Sequence, residues 1–149
     1  MDHTLTKALA SLPHGPEFRF VDRLLELDPG KSGCGTYEVR GEEVFLRGHF
    51  PGHPIFPGVL LVEAVAQLAG VVAQSDPVIP PLEDLRLAGL RNVRISGTAA
   101  PGQTIRLEAR VTGRLANLVQ ASAVAWVEGQ PVLRAELTLS GGAPPTASK

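Results

Sequence analysis

The chain of 149 residues is 44% hydrophobic and 19% charged, the balance of one packed globular domain that buries roughly 70% of the surface its unfolded chain would expose. With 14 Lys and Arg against 15 Asp and Glu, a net charge of −1 provides no global attraction to nucleic acid or to an anionic membrane. A single cysteine, Cys34, excludes an intramolecular disulfide and fits a reducing, cytoplasmic setting.

In chain order, residues 4–12 set Leu5, Ala8, Leu9 and Leu12 on one side of a short helix that Pro13 ends. The N-terminus has an acidic residue at position 2 and no long apolar core, unlike a secretory signal. Residues 18–27 suit a strand, Asp28-Pro29-Gly30-Lys31 is turn chemistry, and residues 35–40 suit a second strand. Beyond a Pro/Gly-rich loop, a long helix is predicted over residues 58–74. Residues 75–81 then read as a connector and 85–95 as a less regular strand. Strict alternation predicts strands over 103–111 (Ile105, Leu107, Ala109, Val111 inward) and 133–140 (Leu133, Ala135, Leu137, Leu139 inward), each with one wet face. Residues 118–127 are small and apolar on both faces, as in a central strand, and Glu128-Gly129-Gln130 makes a tight turn onward. The domain is expected to close near residue 140, leaving 141–149 as a mobile tail with no core-forming residues. The outline is α+β: about six mainly antiparallel strands around one helix that is apolar nearly all round. Its apolar run is too short for a bilayer and contains Glu63 and Gln67, so a soluble chain is expected.

The loop before that helix holds a proline every third residue, Pro51, Pro54 and Pro57. Each fixes its own φ and pushes the preceding residue into extended backbone, so the segment bearing His49 and His53 is stiff and non-helical. Pro57 suits a helix start, and Gly58 lets a ligand approach the unpaired N–H groups there. With the positive end of the helix dipole, those groups form a site for a carbonyl oxygen gaining negative charge. Along the helix Glu63, Gln67, Gly70 and Gln74 fall on one stripe. A carboxylate on an otherwise apolar helix costs several kcal/mol unless it is paired. Glu63 is therefore either a structural hydrogen-bond hub, a subunit-interface residue or a proton donor. A clamped histidine, an oxyanion-type helix start and an acid in the second helical turn together favour acid–base chemistry. His49 and His53 do not make a zinc pair, because Pro51 and Pro54 forbid the helix that a four-residue spacing needs. Cys34, between glycines in a strand, lacks an activator, and no phosphate loop or dinucleotide fingerprint occurs.

The stretch HFPGHPIFPGVLLVEAVAQLAG resembles the signature of the (3R)-3-hydroxyacyl-acyl-carrier-protein dehydratases of the FabZ/FabA type. Lesser matches are Leu12-Pro13-His14, Phe20 to Arg23, and Ala88, Gly89, Asn92, Arg94, Pro101 and Gly102, so the similarity runs over about residues 12–139. It implies a hot-dog fold, with an antiparallel sheet of about six strands wrapped around one long central helix. It also implies a homodimer joined sheet edge to edge, with trimers of dimers among its larger assemblies, and no cofactor or metal. The dehydration so implied takes 3-hydroxyacyl thioesters to 2-enoyl thioesters. His49 is its catalytic base, Glu63 its acid or hydroxyl-orienting group, and each site takes one from each subunit. Glutamate rather than aspartate at position 63 is similar to the FabZ branch, which mainly dehydrates without isomerising the double bond. The Gly58 N–H would polarise the thioester carbonyl. Phe50, Ile55, Phe56 and Pro57 would line or gate an apolar tunnel, and Gln67 would stiffen Glu63 or the facing subunit. Two segments depart from the family pattern: Gly15-Pro16-Glu17, and Ile95-Ser96-Gly97-Thr98. Both thin the positive charge that an acidic acyl carrier protein would meet. Docking then falls to Arg91, Arg94 and Arg114, or the thioester is carried by coenzyme A or a specialised carrier. Two other readings stay open: a hot-dog thioesterase that uses Glu63 to direct water, and a non-catalytic acyl- or carrier-binding subunit.

Overall fold

A computed structural model describes residues 3–48, 52 and 54–142. The element order is α1 (His3–Ala10), a 3₁₀ turn (Pro16–Phe18), β1 (Arg23–Asp28), β2 (Ser32–Glu38), α2 (Val44–Gly48), α3 (Gly58–Gln74), β3 (Glu83–Ile95), β4 (Thr104–Leu115), β5 (Leu118–Val127) and β6 (Gln130–Gly142). All strand pairs are antiparallel, and the sheet order is β1-β2-β4-β5-β6-β3.

Helix α3 keeps the bounds its sequence predicts. Pro57 sits at its N-cap with φ −60° and ψ 134°, the extended backbone that feeds a helix without belonging to it. Eleven of its 17 residues are buried, including Leu61, Val65 and Leu68, because the sheet curls around it: α3 packs against β2, β3, β4, β5 and β6. Each fully buried leucine contributes about 1.5–3 kcal/mol over exposure, so the apolar circumference anchors the helix at the centre of the fold. This is the architecture expected of a hot-dog fold.

The alternating strands bury the predicted rows, Ile105, Leu107 and Ala109 on β4 and Leu133, Ala135, Leu137 and Leu139 on β6. β5 lies between β4 and β6, yet its faces differ, with alternate residues buried from Val119 to Val127. At its end Glu128 (φ 51°) and Gly129 (φ 78°) form the two-residue hairpin turn.

The sequence expectations are altered in three places and met in a fourth. Residues 18–22 do not extend β1; they run from the 3₁₀ turn into coil before Arg23. A short helix, α2, precedes the proline loop. The less regular strand expected over 85–95 is β3, which bulges three times, between Glu83 and Arg86, Leu87 and Gly89, and Arg91 and Arg94. β6 continues through Gly142, so Gly141 and Gly142 belong to the sheet, while 143–149 lie outside the described residues.

Candidate active site

The polar stripe of α3 opens on a cavity of about 620 Å³. Glu63, Gln67, Gly70 and Gln74 line one side of it, as their spacing predicts, and Leu82, Leu85 and Leu87 of the facing strand region line another. The turn after α1, Ser11 to His14, lines it as well, together with Asp84, Arg86 and Leu139. By helical rise, Glu63 and Gln74 stand about 16 Å apart along the axis, a length suited to an extended apolar chain.

Gln67 is the one buried polar side chain among the described residues, 2% exposed, and its amide is fully used. Its Oε1 accepts from the Phe20 N–H (2.8 Å), while its Nε2 donates to the Phe18 carbonyl (2.8 Å) and to Glu63 Oε2 (3.1 Å). A side-chain amide thus stands in for the strand partner that residues 18–20 lack, and binds that segment to α3. Glu63, half-buried at 24% exposure, meets a second nitrogen at the same oxygen: His14 Nε2 lies 3.4 Å from Oε2. Neither residue contacts Oε1.

His14 is held in turn by Arg19, whose guanidinium donates to the carbonyls of Leu12 (3.2 Å) and His14 itself (3.3 Å). The His14 ring stacks on Phe18, centroids 6.1 Å apart. A closed circuit therefore runs from Glu63 through Gln67 to residues 18–20, along the chain to Arg19, and back through His14. His14 enters the sequence reading only as part of a motif match, and Arg19 does not enter it. The His14 contact reaches across 49 residues of chain to α3, where no local pattern points.

At the other end of the site, the Leu60 and Leu61 N–H groups bond to the Pro57 carbonyl, and no side chain caps the helix. The amides of Gly58 and Val59 are thus the first-turn donors with no partner among the described residues, as an oxyanion site requires. A Cβ at Gly58 would lie 3.1 Å from Ile95 Cδ1 and 3.3 Å from its Cγ2, so β3 closes over the helix start.

The proposed lining residues separate. Phe56 is fully buried in an aromatic cluster, with ring centroids 5.9 Å from Phe20, 5.7 Å from Tyr37 and 5.5 Å from Phe45. Its N–H donates to the Ala99 carbonyl at 2.7 Å. It anchors the proline loop in the core and is not part of the cavity wall; Ile55 and Pro57 also lie outside that wall. His49 and Phe50 lie outside the described residues. The chain leading toward them is braced at Glu43, whose carboxylate accepts from the Tyr37 hydroxyl (2.8 Å) and from the Arg40 (3.0 Å) and Gly41 (2.7 Å) N–H groups. Burial alone would raise the Glu43 carboxyl, but these donors outweigh it and hold it below the usual carboxylate range. Burial, with that same hydrogen bond, pushes the Tyr37 phenol up, so it stays a donor.

The arginines separate as well. Arg91 and Arg94 are exposed on β3, and Arg94 faces Arg134 of β6 while adjoining Ile95 at the helix start. Arg114 instead donates to the Ala73 carbonyl (3.1 Å), neutralising the far, C-terminal end of α3. Cys34 is free and buried, with its thiol pushed up by burial, as suits an inert core cysteine. Among the described residues no cluster of His, Cys, Asp and Glu could hold a metal, and no helix is long and apolar enough to cross a membrane.

Comparison with known proteins places this geometry. A family described as FabA-like domain matches residues 12–136. A 3-hydroxyacyl-[acyl-carrier-protein] dehydratase FabZ from Roseiflexus castenholzii is 41% identical over 133 residues, covering 89% of this chain and 92% of that protein. The enzyme of the same description from Bacillus pumilus is 40% identical, covering 88% and 90%. Among solved structures, the dehydratase heterocomplex ApeI:P from Xenorhabdus doucetiae superposes with a TM-score of 0.76 at 15% identity, over 98% of this chain and 94% of that one. Zebra fish thioesterase superfamily member 2 superposes at 0.67 and 18% identity, over 91% and 92%. The last two similarities concern the fold alone.

Proposed function

Because this chain belongs to the FabA-like domain family and is a 3-hydroxyacyl-[acyl-carrier-protein] dehydratase of fatty acid biosynthesis, we propose that His49 and Glu63 carry out its elimination. Neutral His49 takes the C2 proton of the 3-hydroxyacyl thioester. The Gly58 N–H holds the thioester oxygen as enolate character develops. Glu63 orients the C3 hydroxyl and supplies the proton with which it leaves as water, so the C3–O bond breaks as the C2–C3 double bond forms. Acid–base groups of this kind contribute roughly 10²–10⁴-fold and one oxyanion donor about 10²–10³-fold. Positioning in the cavity adds the remainder.

The observation that carries this assignment is Glu63 itself, held at Oε2 by Gln67 in the wall of the cavity, on the helix whose first-turn amides are left unpaired. The acyl chain occupies the cavity along Gly70, Leu85 and Leu87. The active unit is a homodimer, each site taking His49 from one subunit and Glu63 from the other. Its support is β3, a long sheet edge that exposes Leu90, Val93 and Ile95 beside Val59 of α3. Dimers assemble further in threes, in the cytoplasm. Arg91 and Arg94 meet the acidic carrier; Arg94 lies opposite Arg134, two like charges near the helix start, while Arg91 lies opposite Glu136.

Supplying a 3-hydroxyacyl thioester and following 2-enoyl product against free thiol tests the assignment. Enoyl product that is lost in both His49→Ala and Glu63→Gln is expected. Thiol release would mark a thioesterase, and no turnover on carrier or coenzyme A substrates would mark a binding subunit.

A further inference from the structure

Gln67 donates to one oxygen of Glu63 and His14 brings Nε2 to within 3.4 Å of the same oxygen, and we propose that His14 is a positioning residue that places the reactive proton of Glu63 on Oε1. The inference rests on the dehydratase assignment above and extends it to a residue with no role there. A carboxyl group that acts as an acid must present its O–H, and not its carbonyl oxygen, to the leaving hydroxyl. Donors gathered at Oε2 make that oxygen the acceptor of the pair, which leaves the proton on Oε1, the oxygen neither residue touches. When that proton departs, the carboxylate formed is held by charge-assisted bonds at Oε2, stronger than those made to the neutral acid. An interaction that strengthens as the reaction proceeds raises kcat and leaves ground-state binding unaffected.

The geometry suits a histidine whose Nε2 carries hydrogen toward Glu63. His14 Nδ1 is buried and has no hydrogen-bond partner among the described residues. A buried orphan N–H is more costly than an acceptor left empty, so the hydrogen belongs on the nitrogen that faces Glu63. At 3.4 Å the contact is an ion-pair approach and not a formed hydrogen bond, and catalytic contacts of this kind tighten when substrate closes on them. Arg19 keeps the ring in place by gripping the carbonyls of Leu12 and His14, and Phe18 supports its face.

Three variants separate donation from packing: His14→Ala, His14→Phe, which retains a ring over Phe18, and His14→Gln, which restores an N–H. With wild-type turnover of a 3-hydroxyacyl thioester as reference, kcat is expected to fall about 10- to 100-fold in the Ala and Phe variants, the loss of one bond to a charging group. KM stays within about twofold, and His14→Gln recovers most of the rate. A Phe variant with wild-type kcat, or a loss confined to KM, overturns the proposal and leaves the dehydratase assignment standing. Infrared spectra of carboxyl-¹³C-glutamate protein, with Glu63→Gln subtracted, supply a measure independent of turnover. The Glu63 band is expected to shift in His14→Phe; an unmoved band overturns the proposal even if the wild-type chain yields no enoyl product, a result that would instead sink the function assigned above.

Discussion

Gln67→Leu removes a buried amide while keeping its volume, and its effects can be worked from three hydrogen bonds. The Phe20 N–H, buried and 2.8 Å from Oε1, loses its acceptor, at about 1–3 kcal/mol. The Phe18 carbonyl lies on a segment whose ring is 46% exposed, so water replaces Nε2 there at little net cost. Glu63 Oε2 loses a donor but is itself partly wet, which keeps that stability term below about 1 kcal/mol. Leucine recovers about 1 kcal/mol by apolar transfer. The net loss is about 2 kcal/mol, which lowers the melting temperature by about 4–8 °C in a domain of this size. Residues 18–20 also loosen from α3 and carry Arg19 and His14 with them, so kcat should fall more than stability alone explains. Thermal unfolding by circular dichroism, with steady-state turnover on the same preparations, reads both effects. A melting temperature within about 1 °C of wild type would show that the amide does not splice this segment to the helix, and the reasoning behind the site's assembly would fall with it.

Gly58→Ala asks Ile95 to yield by a few tenths of an ångström; that side chain is 46% exposed and flexible, so stability should change by less than about 1 kcal/mol. Turnover should drop by about tenfold or more as the methyl crowds the amide that faces the thioester, and an unchanged kcat would remove Gly58 from the oxyanion role. Glu43→Gln tests the brace below the proline loop through pH. The folded carboxyl is held below its unfolded value, so its contribution is complete above about pH 5 and disappears as pH falls through the folded value. Wild type should therefore be the more stable at neutral pH, with the gap closing in acid; urea titrations at several pH values that show a constant gap would contradict this. Reversing charge with Arg91→Glu and Arg94→Glu should raise KM severalfold for a carrier-borne substrate, with little effect on a pantetheine thioester, and the penalty should shrink in high salt. Arg114→Ala should leave both KM values unchanged and weaken only the end of α3.

The elements that local chemistry dictates were legible in the sequence. Pro57 followed by 17 largely apolar residues gives α3 its start and extent, and Glu128-Gly129 gives the last hairpin. What local chemistry does not dictate was displaced. Residues 18–20 carry a strand-forming pattern, but Gln67 takes their hydrogen bonds and they join no sheet. The irregularity of β3 was legible, but the three bulges that carry it are set by its pairing with β6. Phe56 follows the loop motif closely enough to read as a gate, yet four aromatic rings converge on the core there and claim it. His14 was visible as a letter in a motif, but its contact with Glu63 exists only after α3 is buried and Arg19 has folded the preceding turn back.

The stripe on α3 shows how such a helix distinguishes structure from chemistry. Four positions, Glu63, Gln67, Gly70 and Gln74, interrupt its apolar surface, and spacing alone makes them equivalent. Folding separates them. Gln67 satisfies a backbone N–H and a backbone carbonyl of residues 18–20. Gln74 does the same for one residue, accepting from the Leu82 N–H at 3.0 Å and donating to its carbonyl at 2.7 Å. Gly70 leaves room, with nothing nearer to an added Cβ than Leu85 at 4.0 Å. Both glutamines thus act as surrogate strand partners that tie chain segments to a helix unable to offer backbone groups of its own. Glu63 alone makes no backbone bond among the described residues. Its contacts are two side-chain nitrogens crowded on one oxygen, an arrangement that stabilises no loop and gains value only when the other oxygen has something to give away.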